Sequence, residues 1–165
     1  MADVLTLEQR RLNMSRIRVK DTKPEMLLRQ ELHARGFRYL LHRRELTGCP
    51  DLVFPRYRAV IFVHGCVWHG HACHLFKVPG TRTEFWLKKI SGNVDRDSRA
   101  VESLQRDGWR VLTIWECALR GRGRLDPDKV LGKAEAFLMG KRLVFQVTGR
   151  QALSRAMPAA PPVVR

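Results

Sequence analysis

Eight consecutive residues, Cys66-Val67-Trp68-His69-Gly70-His71-Ala72-Cys73, hold two cysteines and two histidines. These are the thiolate and imidazole donors that tetrahedral zinc takes. Cys117 offers a third thiol, so Cys66, His71, Cys73 and Cys117 make a four-ligand structural set. The spacing is not that of a zinc finger, and Cys49, His64, His69 and His74 remain rival donors. Asp51, between Pro50 and an apolar run, is placed to hold a hard cation from a strand end, although a turn aspartate is the commoner use of Pro-Asp. His69 has a second use open to it. An imidazole, with an ordinary pKa of about 6.5, can take a proton from water near neutral pH. Glu25 can reach a metal-bound water from the first helix, or act as the carboxylate of a helix cap.

Aromatic and cationic residues interleave in the same region: Trp68 stands inside the Cys/His segment, and Phe85-Trp86 stand among Arg82, Lys88 and Lys89. Such side chains can wedge between bases and kink a duplex. Phe85, Leu87 and Ile90 read instead as core, and so do Trp109 and Trp115 around an apolar strand. The charge points the same way. Across 165 residues, 31 Lys and Arg stand against 16 Asp and Glu, a net +15, which suits a polyanionic partner and nucleic acid first. No apolar run is long enough to span a bilayer, and the Arg-rich N-terminus has no secretory core. A reducing cytoplasm is therefore expected, where clustered Cys and His mean metal more often than disulfides.

Several elements are needed to bring these residues together. A helix is expected from Thr22, with the capping-box spacing Thr22-Lys23-Pro24-Glu25, to Gly36. Three strands follow, at Phe37–Leu41, Asp51–Phe54 and Ala59–Val63, and then the Cys/His loop from His64 to about Lys77. Thr83 to about Asp107 reads as helix, broken near Ser91-Gly92-Asn93. Trp109–Trp115 is a fourth strand, and a last helix runs from Asp126-Pro127 to Met139. The short Pro55–Arg58 link makes strands two and three an antiparallel hairpin. The long helical crossover makes strands three and four parallel. That topology gathers Asp51, His64, Cys66 and Cys117 at one edge of the sheet. From Lys141 the pattern weakens, and Pro158-Ala159-Ala160-Pro161-Pro162 reads as a disordered tail.

The stretches Gly48-x-Pro50-Asp51, Ala59 through His69, His71-x-Cys73, Leu75 through Pro79, Thr81 through Trp86, Gly108 through Leu112 and Trp115 through Gly121 closely resemble the very short patch repair (Vsr) DNA mismatch endonucleases of bacteria. Asn13-Met14-Ser15-x-Ile17 and Asp21-Thr22-x-x-Glu25 resemble that family too, so the match covers about residues 10 to 140.

The resemblance implies an α/β, restriction-endonuclease-like fold of the PD-(D/E)XK class, with a mixed four-stranded sheet flanked by helices and a structural zinc loop. The domain would span residues 1–140 with an N-terminal arm over 1–21, followed by a C-terminal extension, partly disordered, over 141–165. It implies nicking 5′ to the thymine of a T:G mismatch left by deamination of 5-methylcytosine. By position, Asp51 and the Val63 carbonyl would hold Mg²⁺, His69 would be the general base, and Glu25 and His64 would support the water network. Cys66, His71, Cys73 and Cys117 would hold Zn²⁺. Trp68 and Trp86 would wedge from one groove and Met14 from the other. The expected partner is mismatched duplex DNA, met by a monomer in the bacterial cytoplasm on the nucleoid, alongside other mismatch-repair proteins.

Three positions depart from the family pattern. Val63 stands where Thr is common, Val67 where Phe is frequent, and Cys49 where Arg is common, which leaves Cys49 a spare thiol. The family also lacks the usual catalytic lysine of its superfold, hence the histidine base. Two other readings follow: a nuclease of this fold acting on another DNA substrate, and a zinc-stabilised DNA-binding module without catalysis.

Overall fold

A computed structural model describes residues 6–17 and 20–150. In chain order the elements are α1 (Leu7–Ser15), α2 (Lys23–Ala34), β1 (Leu40–Leu41), β2 (Leu52–Phe54), a 3₁₀ turn (Pro55–Tyr57), β3 (Ala59–His64), α3 (Thr83–Arg106), β4 (Arg110–Trp115), α4 (Glu116–Leu119), α5 (Pro127–Met139) and β5 (Val144–Val147).

α2 starts where its signals lie. The Thr22 hydroxyl accepts the Glu25 N–H, Pro24 sits in the first turn, and the helix stops at Gly36, whose φ of +93° is left-handed. The Glu25 carboxylate departs from a simple box: its Oε2 accepts the N–H of Asp21 at 3.0 Å rather than that of Thr22. Leu28 and Leu32, four apart on one face, are fully buried.

The strands form one sheet in sequence order. β1 and β2, then β2 and β3, pair antiparallel, whereas β3–β4 and β4–β5 are parallel. Strand residues alternate between two cores. Leu52, Phe54, Ile61, Leu112 and Ile114 face α2 and α5. Val53, Val60, Phe62 and Val111 face the other way, with Leu104 of α3. The result is helices on both faces of a mixed sheet. Helix α5 is anchored at its end by Arg110, whose guanidinium donates to the Phe137 and Leu138 carbonyls at 2.6 and 2.9 Å. No described helix is long and apolar enough to cross a membrane.

The structure corrects the expected architecture in four places. The sheet has five strands, not four: Val144–Val147, in the weakly patterned C-terminal stretch, pairs with β4. The strand is only four residues long and lies at the sheet edge, with Val147 alone buried, so its alternation is too short to stand out. The N-terminal arm contains a helix, α1, closed by a capping box between Thr6 and Gln9. Helix α3 runs unbroken through Ser91-Gly92-Asn93; packing on both sides outweighs the roughly 1 kcal/mol that a mid-helix glycine costs. Phe85 and Leu87, expected in the core, are 48% and 47% exposed, and Ile90 alone of the three is buried. The Pro158–Pro162 tail lies outside the described residues.

Candidate nuclease site and metal centre

Parallel pairing aligns His64 with Trp115 at the ends of β3 and β4. The chain beyond β4 turns at once into α4, which carries Cys117, and Asp51 immediately precedes β2. The edge anticipated from topology therefore exists, and two clusters stand on it.

In the first cluster, one donor atom from each of Cys66, His71, Cys73 and Cys117 lies within 4.8 Å of the others. The Cys117 Sγ to His71 Nδ1 distance is 3.6 Å. A tetrahedral zinc with ordinary Zn–S and Zn–N bonds sets that edge at about 3.5 Å, so the donors fit the ion in kind and spacing. None of the four cysteines is in a disulfide, and Cys49 stands outside the cluster. Burial pushes the Cys66 and Cys117 thiols upward and the His71 imidazole downward. Without a cation, then, these donors are held neutral. Backbone N–H groups aim two of the sulfurs, Leu75 donating to Cys73 at 3.4 Å and Gly149 to Cys117 at 3.3 Å. Gly149 admits no side chain, since a Cβ there would lie 2.2 Å from the Cys117 carbonyl oxygen. His74 is not among the donors and fills the space beside Gly121 and Gly123.

The second cluster gathers imidazoles and carboxylates. The rings of His64 and His69 stack with centroids 3.8 Å apart. His69 Nδ1 lies 2.5 Å from Asp97 Oδ2 on α3, which leaves Nε2 free. Burial, with the His69 charge adding to it, lowers the pKa of His64 to about 3, so His64 is neutral at working pH. Asp51 Oδ2 accepts the Val63 N–H at 2.7 Å. Burial is the main cause that raises the Asp51 pKa to about 7, and the Glu25 charge adds to it against that hydrogen bond. A buried carboxylate with one oxygen uncommitted is a fitting ligand for a hard divalent cation. Glu25 is 1% exposed, with Arg29 Nη1 at 3.2 Å from Oε1.

Trp115 links the two clusters. It stacks on His71 at 4.3 Å and meets His64 edge-on at 5.4 Å. Its indole N–H donates to Gln146 of β5 at 2.9 Å. The loop is tied to α3 as well. Asn93, read from sequence as a break, donates to the Trp68 carbonyl at 2.8 Å. Gly70, at φ +64°, packs so tightly that a Cβ would lie 2.9 Å from Val94.

A cleft of about 560 Å³ opens over the site, lined by Met14 and Ile17 on the arm and by Val63, His64, Trp68 and His69. Trp68 and Trp86 stand 5.6 Å apart, with Lys89 over both rings. Met14 is 44% exposed, so both walls offer apolar side chains to whatever enters.

Asp97 and His42 were missed by sequence reasoning. Asn93 and Asp97 interrupt, four apart, the stripe that Ile90 begins on α3, a usable signal for a helix face turned to a polar site. His42 has no comparable signal. It stands between Glu25 and Asp51 through a left-handed turn.

The family profile described as DNA mismatch endonuclease Vsr matches residues 2–75. The chain is 47% identical over 147 residues to the DNA mismatch endonuclease Vsr of Escherichia coli (strain K12), covering 89% of this chain and 94% of that protein. It is 46% identical over 126 residues to the type II nicking enzyme V.XorIIP of Xanthomonas oryzae pv. oryzae, covering 76% and 93%. It is also 40% identical over 122 residues to the type II nicking enzyme V.NmeAIP of Neisseria meningitidis, covering 74% and 87%. Likeness of this extent, on a chain with these clusters at its sheet edge, places it: the chain belongs to the Vsr family of DNA mismatch endonucleases.

Proposed function

We propose that this protein is a Mg²⁺-dependent endonuclease that nicks one strand of duplex DNA 5′ to the thymine of a T:G mismatch. The observation that carries the reading is the His69–Asp97 pair, stacked on a neutral His64 at the base of a cleft with aromatic and apolar walls. A pure binding module has no use for an aimed imidazole with a free nitrogen.

Asp97 accepts from His69 Nδ1 and thereby fixes the tautomer whose Nε2 lone pair faces outward. That nitrogen takes a proton from the attacking water. His64 buttresses the ring without competing for the proton. Asp51 and the Val63 carbonyl hold Mg²⁺, which when bound neutralises charge on the phosphate. Glu25, fixed by Asp21 and Arg29, supports the water network beside it. Cys66, His71, Cys73 and Cys117 hold structural Zn²⁺ and so keep the loop that carries Trp68 and His69 in place. Arginine and lysine grip the backbone phosphates without reading sequence. Trp68 and Trp86 wedge from one groove and Met14 from the other.

The sheet with helices on both faces is read as the PD-(D/E)XK superfold. One endonuclease domain covers residues 1–140, the extension beyond it adds β5 to the sheet, and the chain acts as a monomer in the bacterial cytoplasm, on the nucleoid. Strand-specific nicking measured on T:G, matched C:G and other lesion duplexes, with and without Mg²⁺, tests the reading. Equal cutting of matched and mismatched DNA would replace it with a general nuclease, and no cutting of any duplex would replace it with a binding module.

A further inference from the structure

We propose that His42 is a positioning residue that sets the spacing of the two site carboxylates, Glu25 and Asp51. The role rests on the nicking site read above. Its imidazole lies between acids that come from separate elements, with Nε2 3.0 Å from Glu25 Oε1 and Nδ1 3.9 Å from Asp51 Oδ1. The side chain is 14% exposed, and Nε2 is buried without making a hydrogen bond of good geometry. The backbone is committed too. His42 has φ +46°, uncommon for a residue with a side chain, and its N–H donates to the Asp51 carbonyl at 3.3 Å. A left-handed backbone is kept at a point where it aims an imidazole at two acids.

The neighbours define what His42 does. Glu25 is already fixed on its other sides, by the Asp21 N–H at Oε2 and by Arg29 at Oε1. Asp51 Oδ2 is fixed by the Val63 N–H. The Arg29 guanidinium also pairs with Asp21 at 2.5 Å, so the group Asp21, Glu25 and His42 already contains its cation and is not itself an ion site. What remains adjustable is Asp51 Oδ1, the oxygen open to a divalent ion. His42 references that oxygen to the anchored Glu25, so α2 and the sheet edge are held at one separation. The partners of a metal ligand of this kind typically matter 10- to 100-fold for affinity or activity.

Two variants on the zinc-loaded full chain test the role. His42→Phe fills the space without ring nitrogens, and His42→Gln keeps a hydrogen-bonding group. Mn²⁺ binding is read by electron paramagnetic resonance without DNA, alongside single-turnover nicking, KM for duplex, zinc content and melting. His42→Phe is expected to bind Mn²⁺ about 10- to 100-fold more weakly and to slow single-turnover nicking comparably, with KM and zinc content unchanged. His42→Gln should recover most of both. Wild-type Mn²⁺ affinity in His42→Phe overturns the proposal, as does a loss that merely follows a lowered melting temperature in both variants. If Mn²⁺ binding by the parent chain depends on His42 yet the chain nicks no T:G duplex, the functional reading fails and the positioning role stands.

Discussion

The imidazoles of His64 and His69 lie face to face, their planes 4° from parallel. Two rings so close cannot both carry a proton cheaply, and burial settles which one does not: His64 is held neutral. In the proposed reading His69, held at Nδ1 by Asp97, is the general base. We therefore expect His69→Ala to cut nicking by about 10² to 10⁴ with zinc content and mismatch binding unchanged. Asp97→Asn should lose part of that factor, because the ring keeps its place but not its tautomer. Single-turnover rates and zinc analysis of both variants provide the check. Loss of zinc in His69→Ala would make His69 a ligand instead.

The zinc set gives a second expectation. Cys117→Ser should lower bound zinc and weaken folding outright, since binding free energy at such a site is folding free energy. Elemental analysis with thermal melting reads it. Cys49→Ser, outside the cluster, should change neither.

Asp51 predicts a pH effect of defined sign. Its folded-state pKa is raised to about 7, above the unfolded value. In the Mg²⁺-free protein its contribution to stability is thus fully present below about pH 4 and is lost as pH rises toward 7, by up to about 1.4 kcal/mol per unit. Asp51→Asn, which removes the buried charge, should accordingly melt higher than the parent at pH 8 without Mg²⁺ and no higher at pH 4, while nicking is abolished. Melting curves at the two pH values test this, and a higher parent melting point at pH 8 would contradict it.

Specificity and affinity should separate at Trp68. Phosphate contacts make affinity fall steeply with salt on any duplex, whereas Trp68→Ala should reduce T:G preference far more than binding to matched DNA. Titrations on both duplexes across a salt series decide it, and equal losses would mean that Trp68 only packs.

What could be read from sequence divides along physical lines. Asp51, His64, Cys66 and Cys117 were placed at one edge because hairpin and crossover geometry follow from loop lengths. β3 and β4 announce themselves as apolar runs, as strands buried on both faces do. The residues missed act through direction, not through type. Asp97 looks like any helix-surface acid until α3 is turned to face the loop. Asn93 suggests a helix break until its amide is seen on Trp68. His42 depends on a left-handed turn that no periodicity encodes. β5 was invisible because it is four residues long and only Val147 is buried, while the stretch from Val144 to Gly149 serves the site through two hydrogen bonds, Trp115 to Gln146 and Gly149 to Cys117.

Those two bonds bear on the order in which the site is completed as the chain is made. Trp115 and Cys117 are made well before residues 144–149, yet each has a hydrogen-bond partner in that last stretch. A ribosome delivers chain from the N-terminus at about 5–20 residues per second. A nascent chain that ends short of Gln146 thus carries Asp51, His64 and His69 without either bond. The setting of Trp115 and of Cys117 thus depends on residues 31 and 32 positions further along the chain, among the last to leave the ribosome.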